Sequence, residues 1–241
     1  MHIKIAYPYP ILILEGEKRY LVVSDLHIGF ETSLKGVRLD NLYMYDMLRD
    51  IIHVLKEERC DAIVLLGDIK DRIDRIVREE RISIPYLFNE LLNHFSSDNI
   101  HLVKGNHDAG IDMLLPYNLR NSVRSMLVID DTLLTHGHIM PRPSMKIKRV
   151  IMGHLHPVLL DGSIMHGERV WVIMKVRLNN NDDLEVIIMP SMNRYLSADR
   201  YRSKNGIPLL RRIKSVTKAI IVTLNGTIVG DENTLGHVLN S

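Results

Sequence analysis

Several absences narrow the reading at once. The 241 residues include one cysteine, Cys60, and no glutamine. A lone cysteine excludes an intramolecular disulfide framework and fits a reducing compartment. No apolar run approaches the roughly 20 residues that span a bilayer. Pro8 and Pro10 interrupt the apolar stretch nearest the N-terminus, so a signal-peptide pattern is missing too. The expectation is a cytoplasmic protein with no membrane partner. An excess of one charge is also lacking: 31 basic against 29 acidic residues give a formal net charge of +2. With 46% hydrophobic and 25% charged residues, the chain sits near the globular average, which excludes a disordered, collagen-like or coiled-coil protein. Its length suits one domain over residues 1–241. The missing glutamine, abundant isoleucine and surplus of arginine over lysine lean towards a thermophile, while plentiful asparagine and methionine lean away.

What is present is a series of short runs rich in Ile, Val and Leu. They fall at Ile3–Ala6, Ile11–Leu14, Tyr20–Val23, Ala62–Leu66, Ile100–Val103, Met126–Ile129, Leu133–Thr135 and Val150–Met152, then at Val170–Val176, Leu184–Met189 and Ala219–Leu224. Runs of four to seven bounded by Gly, Asp or Asn read as strands, several of them apolar on both faces. Between the third and fourth runs, Leu42, Tyr45, Leu48, Ile52 and Leu55 recur at helical spacing, and Asp40 or Asn41 can cap the helix. A second helix is expected over about Pro85–Phe95. Strand and helix alternate through the first half, which is βαβ grammar, and the second half is strand-dominated.

Six of the twelve histidines sit in clusters that immediately follow predicted strands. The clusters are Asp25-Leu26-His27, Gly67-Asp68-Ile69-Lys70-Asp71, Gly105-Asn106-His107-Asp108, His136-Gly137-His138 and Gly153-His154-Leu155-His156. Strand C-terminal ends in an α/β sheet converge on one crevice, so the five can meet. Asp, His and Asn suit divalent ions such as Mn²⁺, Fe²⁺ and Zn²⁺. One ion needs about four protein groups and the clusters supply nearly twice that, which fits a two-metal site with a bridging carboxylate. Glycines beside these residues permit the tight turns such convergence demands.

The ordered series D-x-H, G-D-x-x-D, G-N-H-D, H-G-H and G-H-x-H resembles the calcineurin-like metallophosphoesterase superfamily, over roughly Val23–His156. Within it, Asp25–Glu31, Gly67–Lys70 and the late Met189-Pro190-Ser191-Met192-Asn193 resemble small archaeal SbcD-related phosphoesterases and bacterial ligase-associated phosphodiesterases. The resemblance implies a four-layer α-β-β-α sandwich of two mixed sheets. It places a first ion on Asp25, His27 and His156, a second on Asn106, His136 and His154, and Asp68 between them. The ions would be Mn²⁺-like, with Fe²⁺, Zn²⁺ or Ni²⁺ as other fits. His107 matches the family's general acid. Asp71 matches the carboxylate that orients it, with Asp108 as competitor. The implied reaction is in-line attack of a metal-bound hydroxide on a phosphate ester.

Between Arg194 and Lys218 stand eight basic residues and one acid, Asp199, with Tyr195 and Tyr201 interleaved. Read as an excursion from the domain, this stretch could track a nucleic-acid backbone through Arg194, Arg200, Arg202, Lys204, Arg211 and Arg212. A solvated loop or a contact with an acidic partner is the competing account. A phosphodiester of nucleotide or nucleic-acid type is the favoured substrate. A phosphomonoesterase and a metal-bearing binding module are the alternatives. Arg72 has two readings, a phosphate contact or a surface ion pair, and His138 reads as pocket wall.

Overall fold

A computed structural model of the chain describes residues 1–33, 42–139, 146–160, 165, 167–196 and 207–239. Six strands form the first sheet: β1 (His2–Ile5), β2 (Leu12–Glu15), β3 (Arg19–Val23), β4 (Ala62–Leu66), β5 (Ile100–Val103) and β6 (Val123–Arg124), in that spatial order. β1, β2 and β3 pair antiparallel, whereas β3, β4, β5 and β6 run parallel. The second sheet has seven: β7 (Leu127–Ile129), β8 (Thr132–Leu134), β9 (Arg149–Met152), β10 (Val170–Leu178), β11 (Asp183–Ile188), β12 (Ile213–Thr223) and β13 (Ile228–Asp231). They lie in the order β13-β12-β10-β11-β9-β8-β7. β8, β9 and β11 are mutually parallel neighbours and the other pairs are antiparallel. Both sheets are therefore mixed.

The doubly apolar strands explain the layering. Side chains alternate along a strand, so β4 sends Ile63 and Leu65 to one face and Val64 and Leu66 to the other. The first pair packs with α1 (Leu42–Glu58) and α2 (Arg78–Leu92) through Met44, Ile51, Ile84 and Phe88. The second pair meets Leu134, Ile151, Trp171 and Ile187 of the second sheet. Each fully buried side chain of this size contributes about 1.5–3 kcal/mol. The two sheets thus pack face to face with helices outside the first. Among the described residues no α-helix covers the second sheet, whose outer face is closed by Leu159, Ile207, Leu209 and Val238. Nor is any described helix long and apolar enough to cross a membrane.

Three expectations change. The buried stripe of α1 is Tyr43, Met44, Met47, Leu48, Ile51, Val54 and Leu55, so Tyr45 points outward at 48% exposure and meets the ring of Tyr86 edge-on. Asp40 and Asn41, the expected caps, lie outside the described residues. α2 begins at Arg78, so Pro85 stands inside the helix instead of opening it. The ring removes one helical hydrogen bond, and burial of Ile84, Leu87, Phe88 and Leu91 outweighs that loss. Finally, the basic stretch is not all excursion: from Ile213 onward it is β12. Its first half is paired with β10 alone, because β13 begins to pair only at Ile220, and exposed Lys214 and Lys218 suit such an open edge.

Candidate metal centre

Five strands deliver the five clusters, β3, β4 and β5 as parallel neighbours in one sheet and β8 and β9 in the other, where β11 runs parallel beside β9. Parallel strands end at the same edge, so all six C-terminal ends open on one crevice. Direct bonds tie the two edges together. His136 Nδ1 donates to the Leu66 carbonyl at 2.9 Å, and the His154 amide donates to the Asp25 carboxylate at 3.1 Å. The late Met-Pro-Ser-Met-Asn segment follows β11 and clamps the first cluster. The Met192 amide donates to the Ser24 carbonyl, Ser191 Oγ to the Asp25 carbonyl, and Asn193 Nδ2 to the Leu26 carbonyl.

The local backbone is unusual where the chemistry is. Asp25, His27, Asp68, His154 and His156 all hold φ between 42° and 69°, a left-handed conformation that L-residues seldom adopt. Gly67 also has positive φ, and a Cβ there would overlap the His136 ring. Gly105 keeps an ordinary backbone, and its need is space: a Cβ would overlap the Asp68 carboxylate.

Six of the seven residues matched to metal ligands fall into two contiguous groups. Asp25, His27, Asp68 and His156 present ligand atoms within 4.8 Å of one another, as do Asp68, His136 and His154. Asp68 belongs to both. Its Oδ2 lies 3.1 Å from His136 Nε2, 3.5 Å from His27 Nε2 and 3.9 Å from His107 Nε2, while Oδ1 accepts the His107 amide at 2.9 Å. Asp25 Oδ1 is 3.0 Å from His156 Nε2. The seventh, Asn106, lies between Gly105 and His107, and its buried Oδ1 has no hydrogen-bond partner. His138 lies beside the group with its ring tilted, 5.5 Å from that of His136 and 6.2 Å from that of His154.

These donors fit divalent cations. The Leu66 carbonyl can only accept, so His136 carries its proton on Nδ1 and turns Nε2 inward. His27 does the same, with Nδ1 3.2 Å from Asp71 Oδ1. A carboxylate or carbonyl holding the outer nitrogen is the usual way a protein orients an imidazole ligand. The charge pattern agrees. Burial works against the Asp25 carboxylate, yet His156 and His136 hold it down at about 2. Asp68 is likewise held well below the carboxylate range, by His136, His27 and His107 against burial. Burial also disfavours an imidazolium at His136, but Asp68 and Asp25 lift it to about 9. His154, which lacks so close a carboxylate, is pushed down to about 4 by burial and by His136. Two anionic carboxylates drawing a cation between them is an environment made for a metal ion.

His107 and Asp71 also meet, through the backbone: His107 Nδ1 donates to the Asp71 carbonyl, while Asp71 Oδ1 faces His27. Asp108 is occupied differently. It accepts amides of Ile69, Lys70 and Gly105, so it ties the loops after β4 and β5 together. Arg72 lies 3.5 Å from Asp74, the surface-ion-pair reading. Of the basic residues, Arg194, Arg211 and Arg212 are exposed, and Arg200, Arg202 and Lys204 lie outside the described residues, as does Tyr201. Sequence reasoning missed three supports: Ser24, whose Oγ is 2.7 Å from Asp25 Oδ2; Lys70, wholly buried; and Glu80, wholly buried on α2. Glu80 stands in the charged run Arg78-Glu79-Glu80-Arg81 and Lys70 between Ile69 and Asp71, so neither burial carries a local sequence signal.

The profile of calcineurin-like phosphoesterases matches residues 18–189. An uncharacterized metallophosphoesterase-like protein of Bacillus subtilis, YydB, is 36% identical over 98 residues, which are 39% of this chain and 18% of that protein. The match thus spans under a fifth of the length of that relative. Among solved structures, the nuclease MPE of Pseudomonas putida superposes with a TM-score of 0.53 at 17% identity, over 95% of this chain and all of that one, a likeness of fold. The E. coli phosphoesterase Yfce covers 89% of this chain and 98% of its own at 16% identity and a TM-score of 0.41. With 172 consecutive residues matched by the profile and the described crevice inside them, the chain belongs to the calcineurin-like phosphoesterase family, hydrolases that act on phosphate esters.

Proposed function

We propose that this chain, acting as one phosphoesterase domain over residues 1–241, hydrolyses phosphodiesters of nucleotide or nucleic-acid type at a dinuclear centre. Asp25, His27 and His156 would hold one divalent ion, Asn106, His136 and His154 the other, and Asp68 both. The observation that carries this reading is the position of Asp68 Oδ2, 3.1 Å from the nitrogen of one ligand group and 3.5 Å from that of the other. Divalent ions held by these residues would acidify water and offset the charge of phosphoryl oxygens. Mn²⁺ suits the mixed carboxylate, amide and imidazole donors.

The residues of the chain do the rest. The Nδ1–H of His107 donates a hydrogen bond to the Asp71 carbonyl, so the proton available for exchange is the one on Nε2. That nitrogen faces the same carboxylate oxygen as the two ligand groups, which supports its reading as the acid that would protonate a departing alkoxide. Asp71 Oδ1 holds His27 with Nε2 inward. Ser191 and Asn193 hold the carbonyls of Asp25 and Leu26, and Ser24 Oγ donates to the Asp25 carboxylate. Exposed Arg194, Arg211 and Arg212, together with the fold likeness to a nuclease, support a diester over a monoester.

Initial rates on bis(p-nitrophenyl) phosphate and p-nitrophenyl phosphate, after chelation and Mn²⁺ reconstitution, test the proposal. Faster diester turnover is expected. Faster monoester turnover would replace it with a phosphatase, and silence on both with ions bound would leave a binding module.

A further inference from the structure

Glu80 is wholly buried, and its carboxylate accepts three backbone N–H bonds. Oε2 takes the Val77 amide at 3.0 Å, as a third-position glutamate does when it caps its own helix. Oε1 reaches outside the helix to the amide of Arg72 at 2.9 Å and to that of Asp71 at 3.1 Å, which it shares with the Ile28 carbonyl at 3.0 Å. The carbonyl side of the same loop is held by Lys70, whose Nζ donates to the Arg72 carbonyl. The stem of Glu80 presses on a second loop: a Cβ on Gly29 would stand 2.8 Å from Glu80 Cγ. The Gly29 amide in turn donates to Tyr43 Oη at 2.8 Å, and that hydroxyl donates to the His27 carbonyl at 3.0 Å. Glu80 is therefore wedged between the loop that carries His27 and the loop that carries Asp71.

Asp71 contacts two histidines by different atoms, His27 by its carboxylate and His107 by its carbonyl. Both contacts depend on where the Asp71 backbone lies. We infer that Glu80 is a positioning residue: by holding the Arg72 amide and, with the Ile28 carbonyl, the Asp71 amide, it sets the Nδ1–H tautomer and ring orientation of His27 and His107 together. A carboxylate serving α2 alone would need the Val77 amide and nothing more. The catalytic consequence rests on the proposed function, whereas the effect on the two imidazoles does not.

The test compares E80A, E80Q and E80D in the full chain, with folding checked by circular dichroism. Long-range proton–nitrogen correlation spectra of the ion-free protein report the tautomers of His27 and His107. Wild type is expected to show both as Nδ1–H. Glu80→Ala and Glu80→Asp, the latter keeping the charge but losing reach, are expected to convert both rings to mixed tautomers. Glu80→Gln, whose amide oxygen can still accept from Asp71 and Arg72, is expected to restore them. In the Mn²⁺-loaded enzyme, E80A and E80D should lose about 10–100-fold in turnover, the range typical for partners of a ligand, with a larger loss on phenyl than on p-nitrophenyl esters. Unchanged tautomers in E80A or E80D would overturn the inference, as would an E80D indistinguishable from wild type. Should E80A fail to fold, E80D and E80Q carry the same comparison. If wild-type enzyme turns over no phosphate ester, the functional reading fails while the spectra still decide the role of Glu80.

Discussion

The five left-handed residues at Asp25, His27, Asp68, His154 and His156 each carry about 1–2 kcal/mol of backbone strain. Hydrogen bonds from neighbouring loops offset it, and five of the eight described non-glycine residues with positive φ fall in this one crevice, the others being Arg59, Asp130 and Asn181. Because Asp68 faces both ligand groups, Asp68→Ala is expected to lose both ions, read as metal content after gel filtration. Retention of one ion would show that the groups are independent. His107 makes a different demand. His107→Ala should keep its ions and lose about 10²–10⁴ in turnover on poor leaving groups, the usual scale of general acid catalysis. Loss of metal would instead make it a ligand. Cys60 belongs to the core below α1, where burial and Glu58 push its thiol up to about 12. The native protein should therefore react slowly with a disulfide reagent at pH 8 and fast once unfolded.

At the scale of elements, the strands were legible because their signal is local. A run such as Ala62–Leu66 needs only composition and its bounding Gly and Asp to declare itself, and its limits coincide with β4. α2 was not legible to the same degree. Pro85 reads as a helix start, and only packing of Ile84, Phe88 and Leu91 against the first sheet keeps a proline inside a helix. The stripe of α1 was misphased for a related reason: Tyr45 fits a 3.6-residue period as well as Met44 does, and the position of the sheet chooses between them. Trp171, the single tryptophan, lies wholly buried between the sheets. Phe88→Ala under α2 should cost about 3–5 kcal/mol in urea unfolding followed by Trp171 fluorescence. Exposed Ile82→Ala should stay within about 0.5 kcal/mol.

Across the whole molecule, the candidate centre ties the two sheets together, since Asp25 and Asp68 come from one and His136, His154 and His156 from the other. Ions bound there should stabilise the fold as a unit. At 100 times Kd, Mn²⁺ is expected to add about 2.7 kcal/mol, seen as a rise in Tm that chelation reverses. An unchanged Tm at saturating Mn²⁺ would mean the groups do not bind it in the folded state. The basic surface calls for a measurement of the same breadth. If Arg211 and Arg212 meet a nucleic-acid backbone, replacing both with alanine should weaken single-stranded oligonucleotide binding and flatten its salt dependence by about one charge each.

The ordered clusters of Asp, Asn and His were readable from the chain alone, because metal chemistry restricts residue type and strand ends restrict spacing. So were most strands and the split of their side chains between two apolar layers. The pairing of parallel triplets across two sheets was not, since no short stretch of sequence encodes which strand lies beside which. The same holds for the company each site residue keeps. That Asp71 serves His27 with its carboxylate and His107 with its carbonyl, or that a glutamate on α2 reaches both through it, follows from distances set only when the helix docks on the sheet. Residue type proposes a chemistry; the packing of remote segments assigns each atom its part in it.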